Sequence, residues 1–303
     1  MANRVVVLAG GTGGAKLARG MLDVAGAGLT VIANTADDIE IYGAYVSPDP
    51  DLVTFWLADR IHERGWGLRD DTFEVMDGLR EIGVDVWFSL GDRDLAIGIE
   101  RARRLATGAR LTETLADLGT ALGVSARVLP MSDEHVRTWV RADARWLPFQ
   151  EFMIRARGEG PVQDAQLRGV EHALPTAEVL DAIAAAEAIV IGPSNPVISI
   201  GPILTVPEMR QALIDSPAPV VAVSPIVGGD VLKGPTAAFM RWAGHDASTE
   251  AIAACYAGLV DGLVADEPVD GLPVLQTDTL MTDAESRRRL ATETLRFAEG
   301  LAA

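Results

Sequence analysis

Gly10-Gly11-Thr12-Gly13-Gly14-Ala15-Lys16 sets four glycines directly after an apolar run, Val5-Val6-Val7-Leu8-Ala9. A backbone without Cβ atoms turns sharply and offers its N–H groups to an anion, and a helix opening there adds the positive end of its dipole. Phosphate binding through Gly10, Gly11, Thr12, Gly13, Gly14 and Lys16 is the chemistry this segment suits, and a tight packing turn is the plainer reading. The spacing is not that of a Walker loop, which needs Gly-Lys-Ser/Thr after a longer spacer. Nor is it a full dinucleotide fingerprint, because Gly11 and Gly13 with Lys16 miss the third glycine.

Two acidic segments follow, Asn34-Thr35-Ala36-Asp37-Asp38 and Ser47-Pro48-Asp49-Pro50-Asp51. Four carboxylates beside a phosphate loop are what a hard divalent cation such as Mg2+ requires, since it takes oxygen ligands and bridges to phosphate oxygens. Ligation by at least one of Asp37, Asp38, Asp49 and Asp51 is expected, with helix capping by Asp51 as the competing use. In Leu90-Gly91-Asp92-Arg93-Asp94-Leu95, the charged triplet either places Arg93 on a phosphate and a carboxylate such as Asp92 on a hydroxyl, or caps a helix and leaves the Arg exposed. The segment 192–202 holds Ser194, Asn195, Ser199 and Gly201 between prolines that fix its backbone, suiting contact with a base or ribose or else a rigid connection. Ser224-Pro225-Ile226-Val227-Gly228-Gly229 ends a later strand in a similar way. Ser132-Asp133-Glu134 and Gln150-Glu151 read as turns and solvated faces. The histidines His62, His135, His172 and His245 show neither metal spacing nor a partnered Ser or Cys and receive no role. Among the six tryptophans, Trp56, Trp66 and Trp87 read as core, with one available to stack on a flat acceptor.

The elements that must position these residues follow from hydrophobic period. Strand 5–9, helix 15–24 and strand 29–33 form a βαβ unit, hence parallel strands with a right-handed crossover. Alternation returns with helix 177–186, strand 188–192, helix 206–214, strand 220–223, helix 252–260 and strand 262–265. In between, 52–64, 73–82, 95–106 and 112–122 read as helices and 126–129 and 136–141 as strands. The expectation is an α/β protein, a doubly wound Rossmann-like, mostly parallel sheet with a smaller inserted mixed α+β region. Residues 1–91 and 170–303 would form the two parts of the core and 92–169 the insertion, with 158–161 the most loop-like internal segment.

The chain has 303 residues, 49% hydrophobic, and a mean hydropathy of +0.20, enough for a sizeable core. Its formal charge of −17 disfavours nucleic acid and makes backbone N–H groups, a few placed Arg or Lys, or a divalent metal necessary for holding an anion. Cys255 is the only cysteine, which excludes an internal disulfide and a thiolate zinc cluster and fits a cytoplasmic location. No signal segment and no membrane span is expected.

Taken together these segments resemble the 2-phospho-L-lactate transferase family (CofD, also called FbiA), which builds the deazaflavin coenzyme F(420). The resemblance runs from Gly10 to about Met281. Its carriers are the glycine, Asn34 to Asp38, Ser47 to Asp51 and Leu90 to Ala96 segments, Arg64-Gly65-Trp66-Gly67, Phe149-Gln150-Glu151-Phe152 and Pro193 to Ile203. It implies a magnesium-dependent transfer of 2-phospholactate, phosphoenolpyruvate or a similar group. The donor would be a guanosine-diphosphate-linked hydroxy acid and the acceptor the ribityl hydroxyl of the deazaflavin Fo, with GMP released. It further implies a homodimer, Asp37, Asp38 and Asp51 as metal candidates, Asp37 or Asp49 orienting or accepting the proton, and Arg93 in the catalytic set. Two departures stand out: Ile97-Gly98 where the family usually has Thr-His, and Asp49-Pro50-Asp51-Leu52 where it has Asp-Leu-Asp-Thr.

Two other classes compete. A sugar-nucleotide-binding regulator of the YvcK-like group would share the glycine loop and an Ala-Asp-Asp segment and bind without turnover, but the motifs at 91–95 and 194–202 argue against it. A nicotinamide oxidoreductase rests on residues 10–14 alone, and no Asp or Glu ends the second strand at Ala33.

Overall fold

A computed structural model describes residues 4–158, 161–231 and 234–302. Residues 159 and 160 of the loop-like segment at 158–161, and residues 1–3, lie outside the described part. The chain forms a seven-stranded sheet in the order Val274–Gln276, Gly262–Ala265, Val220–Val223, Ala188–Ile191, Val5–Ala9, Leu29–Ala33, Arg127–Pro130, with every pair parallel. Val5–Ala9, Leu29–Ala33, Ala188–Ile191, Val220–Val223 and Gly262–Ala265 are buried throughout, as strands covered by helices on both faces must be. This is the doubly wound architecture the alternation implies.

Strand order reverses around Val5–Ala9, whose neighbours are the strands at 29 and 188. At such a switch point the two crossovers run to opposite faces and leave a crevice beyond the carboxyl ends. Register brings the rim together: Ala9 pairs with Ala33 and Leu8 with Ile191, Asn34 N–H donates to the Ala9 carbonyl at 3.0 Å, and Gly192 N–H to the Leu8 carbonyl at 2.9 Å. The glycine segment, the Asn34 segment and the 192–202 segment thus leave the sheet side by side.

The helix after the first strand spans Gly11–Ala25, starting four residues before the expected Ala15, with Gly10 as its extended N-cap. Glycine's poor helix propensity points to a longer turn, but close packing there overrides it. The expected 52–64 helix is instead Pro48–Leu57, with Pro48 at its first position, where the missing N–H costs nothing. An unanticipated hairpin, Ile39–Ile41 with Ala44–Val46, turns through Tyr42 and Gly43 at φ 52 and 78, the mirror-image turn that matches strand twist. Arg137–Ala142 pairs antiparallel with Arg145–Pro148 and Asp164–Arg168 in a separate three-stranded sheet, while Arg127–Pro130 joins the edge of the main one. Among the described residues no helix is long and apolar enough to cross a membrane.

Candidate active site

The glycine segment is shaped by a neighbour. A Cβ on Gly13 would lie 2.0 Å from the Pro193 carbonyl oxygen, one on Gly14 2.8 Å from Ser194 Oγ, and one on Gly10 2.7 Å from Ser199 Cβ. Three of the four glycines therefore admit the 193–199 segment against the helix start, and Ser194 Oγ donates to the Gly10 carbonyl to hold it there. Gly11, at φ +64, donates its N–H to Asp49 Oδ1 at 2.6 Å, so a carboxylate of the protein itself sits at the helix N-terminus, where an anion is favoured. Gly11, Thr12 and Gly13 stay partly exposed at the rim, whereas Lys16 Nζ donates to the Met281 carbonyl at 2.9 Å.

Asp37, Asp38 and Asp49 are buried at the mouth of the crevice. Asn34 Nδ2 donates to Asp49 Oδ2 at 3.0 Å, and its Oδ1 accepts from Ala36 N–H at 2.9 Å, so this amide ties the two acidic segments together. Ser47 Oγ donates to Asp38 Oδ1 at 2.8 Å. Asp37 Oδ1 and Asp38 Oδ2 are buried without any hydrogen-bond partner among the described residues. Burial pushes Asp38 up to about 7, against the opposing pull of Arg137, Ser47 and Arg101, and pushes Asp49 up to about 6 despite the bonds from Gly11 and Asn34. Asp37 is held well above the usual carboxylate range, by burial first and then by the neighbouring Asp49 and Asp38. Packed carboxylates with open oxygens call for more positive charge than Arg137 and Arg101 supply, and hard oxygen donors of this kind fit a divalent cation. No cluster of three or more metal-type side chains is already arranged as a cage among the described residues, so substrate oxygens and water would complete the coordination, as is usual for Mg2+ on phosphates.

Asp51 stands apart from that group. Its Oδ2 accepts from Arg101 Nη1 at 3.0 Å and from Ser47 N–H at 3.3 Å, and its Oδ1 accepts from Arg101 Nη2. The expectation of Asp51 as a metal ligand therefore meets a carboxylate engaged at both oxygens. The capping expectation also changes: Asp51 lies within the first turn of Pro48–Leu57 rather than before it.

The Asp92-Arg93-Asp94 triplet opens the helix Asp92–Ala106, and its first carboxylate is engaged by the start of the preceding helix. Asp92 accepts from Thr72 Oγ1 at 2.6 Å and from the N–H groups of Glu74 and Val75 at 3.1 and 3.0 Å, capping the preceding helix Glu74–Glu81. Asp71 returns the favour, accepting from Arg93 and Asp94 N–H at 2.9 and 3.1 Å. Arg93 is exposed. Asp94 lines a cavity of about 180 Å³ with Leu52, Phe55, Trp66, Phe73 and Phe88, and Asp49, Asp51 and Arg64 reach the same cavity. Burial, then the charges of Asp51 and Asp71, push Asp94 up to about 7. Trp66 is 52% exposed, with the Arg64 guanidinium 4.3 Å from its ring centre.

In the 193–202 segment, Asn195 Oδ1 accepts from Val197 and Ile198 N–H at 2.8 and 3.3 Å, and its Nδ2 donates to Thr236 Oγ1 at 3.3 Å. Ser199 packs on Gly10, and a Cβ on Gly201 would lie 3.0 Å from the Pro196 carbonyl. The polar groups of Ser194 and Asn195 thus serve the shape of the segment.

Sequence reasoning missed Arg101, Asn34 and Asp71 as site groups and marked Asp94 only as one of the two carboxylates of its triplet. Arg101 shares a buried stripe with Leu95 and Gly98 at three-residue steps, and an arginine on the apolar face of a helix is the one signal that pointed to it.

Compared with known proteins, the chain matches the family model described as 2-phospho-L-lactate transferase CofD over residues 5–292. A phosphoenolpyruvate transferase of Kitasatospora aureofaciens is 39% identical over 314 residues, which cover 98% of each chain. A 2-phospho-L-lactate transferase of Methanopyrus kandleri is 39% identical over 308 residues, again 98% of each. The crystal structure of a UPF0052 family member from Bacillus halodurans superposes with a TM-score of 0.63 at 17% identity over 97% of this chain and 99% of that one, a likeness of fold.

Proposed function

The chain belongs to the 2-phospho-L-lactate transferase CofD family, whose reaction is transfer of a phospho-hydroxyacid group, and from that premise we propose the substrates and the residue roles. The donor is a guanosine-diphosphate-linked lactate, enolpyruvate or similar hydroxy acid, and the acceptor is the ribityl hydroxyl of the deazaflavin Fo. The alcohol oxygen forms a bond to the phosphorus that carries the acid, the bond from that phosphorus to GMP breaks, and the alcohol proton passes to a carboxylate. One observation carries this reading: two buried carboxylate oxygens without partners, on Asp37 and Asp38, next to Asp49, which itself bonds the glycine-lined helix start and lines the aromatic cavity.

Asp37 and Asp38 would hold Mg2+, which supplies charge neutralisation on the diphosphate. The N–H groups of Thr12 and Gly13, in the partly exposed first turn of Gly11–Ala25, contact the donor phosphates, while that of Gly11 stays on Asp49. Asp49, raised toward neutrality by burial and oriented by Gly11 and Asn34, takes the proton, since a base titrating near the working pH is the most effective. Trp66 with Arg64 stacks on the flat ring of the acceptor, and the aromatic cavity excludes water from the phosphorus. The site works in a cytoplasmic homodimer.

Purified protein given Fo, Mg2+ and the guanylylated lactate, enolpyruvate and glycerate donors in turn is expected to release GMP. Mass spectrometry of the product would name the acid. Tight donor binding with no GMP above background for any of the three would reject turnover in favour of a nucleotide-binding regulator.

A further inference from the structure

Arg101 is 1% exposed and is among the largest fully buried side chains of the described residues. A guanidinium in such a place is costly unless every charge it faces is answered, so its partners show what it is for. Nη1 donates to the Tyr45 carbonyl at 2.8 Å and to Asp51 Oδ2 at 3.0 Å, and Nη2 donates to Asp51 Oδ1. Its reach depends on Gly98 one turn earlier: a Cβ there would stand 3.0 Å from Ala44 Cβ and 3.2 Å from the Tyr45 carbonyl oxygen. The bare glycine lets Asp92–Ala106 lie close against the strand Ala44–Val46. Tyr45 and Asp51 bracket the turn 47–51, whose Ser47 orients Asp38 and whose Asp49 bonds Gly11.

We propose that Arg101 is a positioning residue that locks the turn 47–51 from beneath, with Asp51 as its counter-ion and not a ligand of the metal, so that Asp38 and Asp49 keep their placement before substrate arrives. The inference rests on the divalent-metal reading of this site. A planar fork gripping both carboxylate oxygens fixes direction as well as distance, which a lysine cannot do. Errors of about 1 Å in such groups cost on the order of a hundredfold in rate.

The test compares Arg101→Met, Asp51→Asn and the double variant with wild type. Mn2+ binding to metal-free protein is measured by calorimetry at a temperature where near-ultraviolet circular dichroism shows each variant folded, and kcat and KM are measured separately. Each single variant is expected to weaken Mn2+ binding about tenfold and lower kcat by a similar factor, with KM for the acceptor within about twofold, and the double variant is expected to lose no more than the worse single. Arg101→Lys, which keeps the charge without the fork, is expected to fold and move in the same direction, and it replaces Arg101→Met if that variant is unfolded. The idea is overturned if Asp51→Asn abolishes Mn2+ binding while Arg101→Met binds normally, which would make Asp51 a ligand. It is equally overturned by wild-type affinity in both singles, by additive losses in the double, or by wild-type protein that binds no Mn2+. Wild-type protein that binds Mn2+ yet releases no GMP from any donor refutes the substrate reading alone, and the binding comparison still decides the role of Arg101.

Discussion

Asp38 shows how one burial serves two ends. Its oxygen without a partner is a liability in the metal-free protein and, on the proposed reading, would be a ligand in the loaded one. Burial raises Asp38 to about 7 and Asp49 to about 6, from an ordinary value of 3.8, so the native state holds protons that the unfolded chain has already released. Stability from these groups is therefore complete at acid pH and is lost as pH rises from about 4 to about 7, the reverse of an ordinary salt-bridged carboxylate. The melting temperature of metal-free protein is expected to fall across that range and to recover with Mg2+. Asp38→Asn should flatten the pH profile, abolish the Mg2+ effect and lower kcat by about a hundredfold or more while leaving the fold intact. A wild-type rate in that variant would remove Asp38 from the metal site.

Packing between elements decides what each glycine is for. Gly13 meets the Pro193 carbonyl, a backbone atom that cannot step aside, so Gly13→Ala is expected to cost about 3 kcal/mol and to displace the 193–199 segment from the crevice rim. Gly78, in the helix Glu74–Glu81, would meet nothing within 4 Å, and Gly78→Ala is expected to stabilise the protein by about 0.5–1 kcal/mol through the unfolded chain. Denaturant midpoints of the two variants check both signs. Equal effects would show that the segment moves freely and that its grip on the helix start is weak. The same contact explains where the sequence-based boundary failed: residues 11–14 look like a turn by propensity, yet the helix reaches back to Gly11 because it packs on another segment 180 residues away in the chain, at Pro193 and Ser194.

Across the whole molecule a formal charge of −17 opposes the approach of an anionic donor to a crevice rimmed by acids. Salt screens that repulsion over about 10 Å at 0.1 M, so kcat/KM for the donor at saturating Mg2+ is expected to rise about twofold to threefold between 20 and 150 mM salt. A fall of similar size would mean that the local field at the crevice is positive and that the basic groups near it outweigh the net charge. The architecture sets where that field acts: the strands at 5, 29 and 188 end together, and the small antiparallel sheet brings Arg137 to Tyr45, whose hydroxyl accepts from its Nη2 at 3.0 Å.

Local sequence was sufficient for the five central strands of the parallel sheet, because strands buried on both faces must be unbroken apolar runs and the helices between them must be amphipathic. The less buried edge strands Val274–Gln276 and Arg127–Pro130 were respectively missed and assigned to the insertion. It was also sufficient to mark the glycine and acidic segments, because their residue types are rare outside turns and sites. Roles within those segments were beyond its reach. Asp38 and Asp51 are both acids beside the same loop; only the approach of Asp92–Ala106 through Gly98 puts Arg101 on Asp51 and leaves Asp38 with an open oxygen. Asp92 looks like a site residue and caps Glu74–Glu81, because its partners are N–H groups nearly twenty residues upstream. Partners, burial and charge are properties of chain segments distant in sequence and adjacent in space, and it is the packing of helices on the sheet that assigns them.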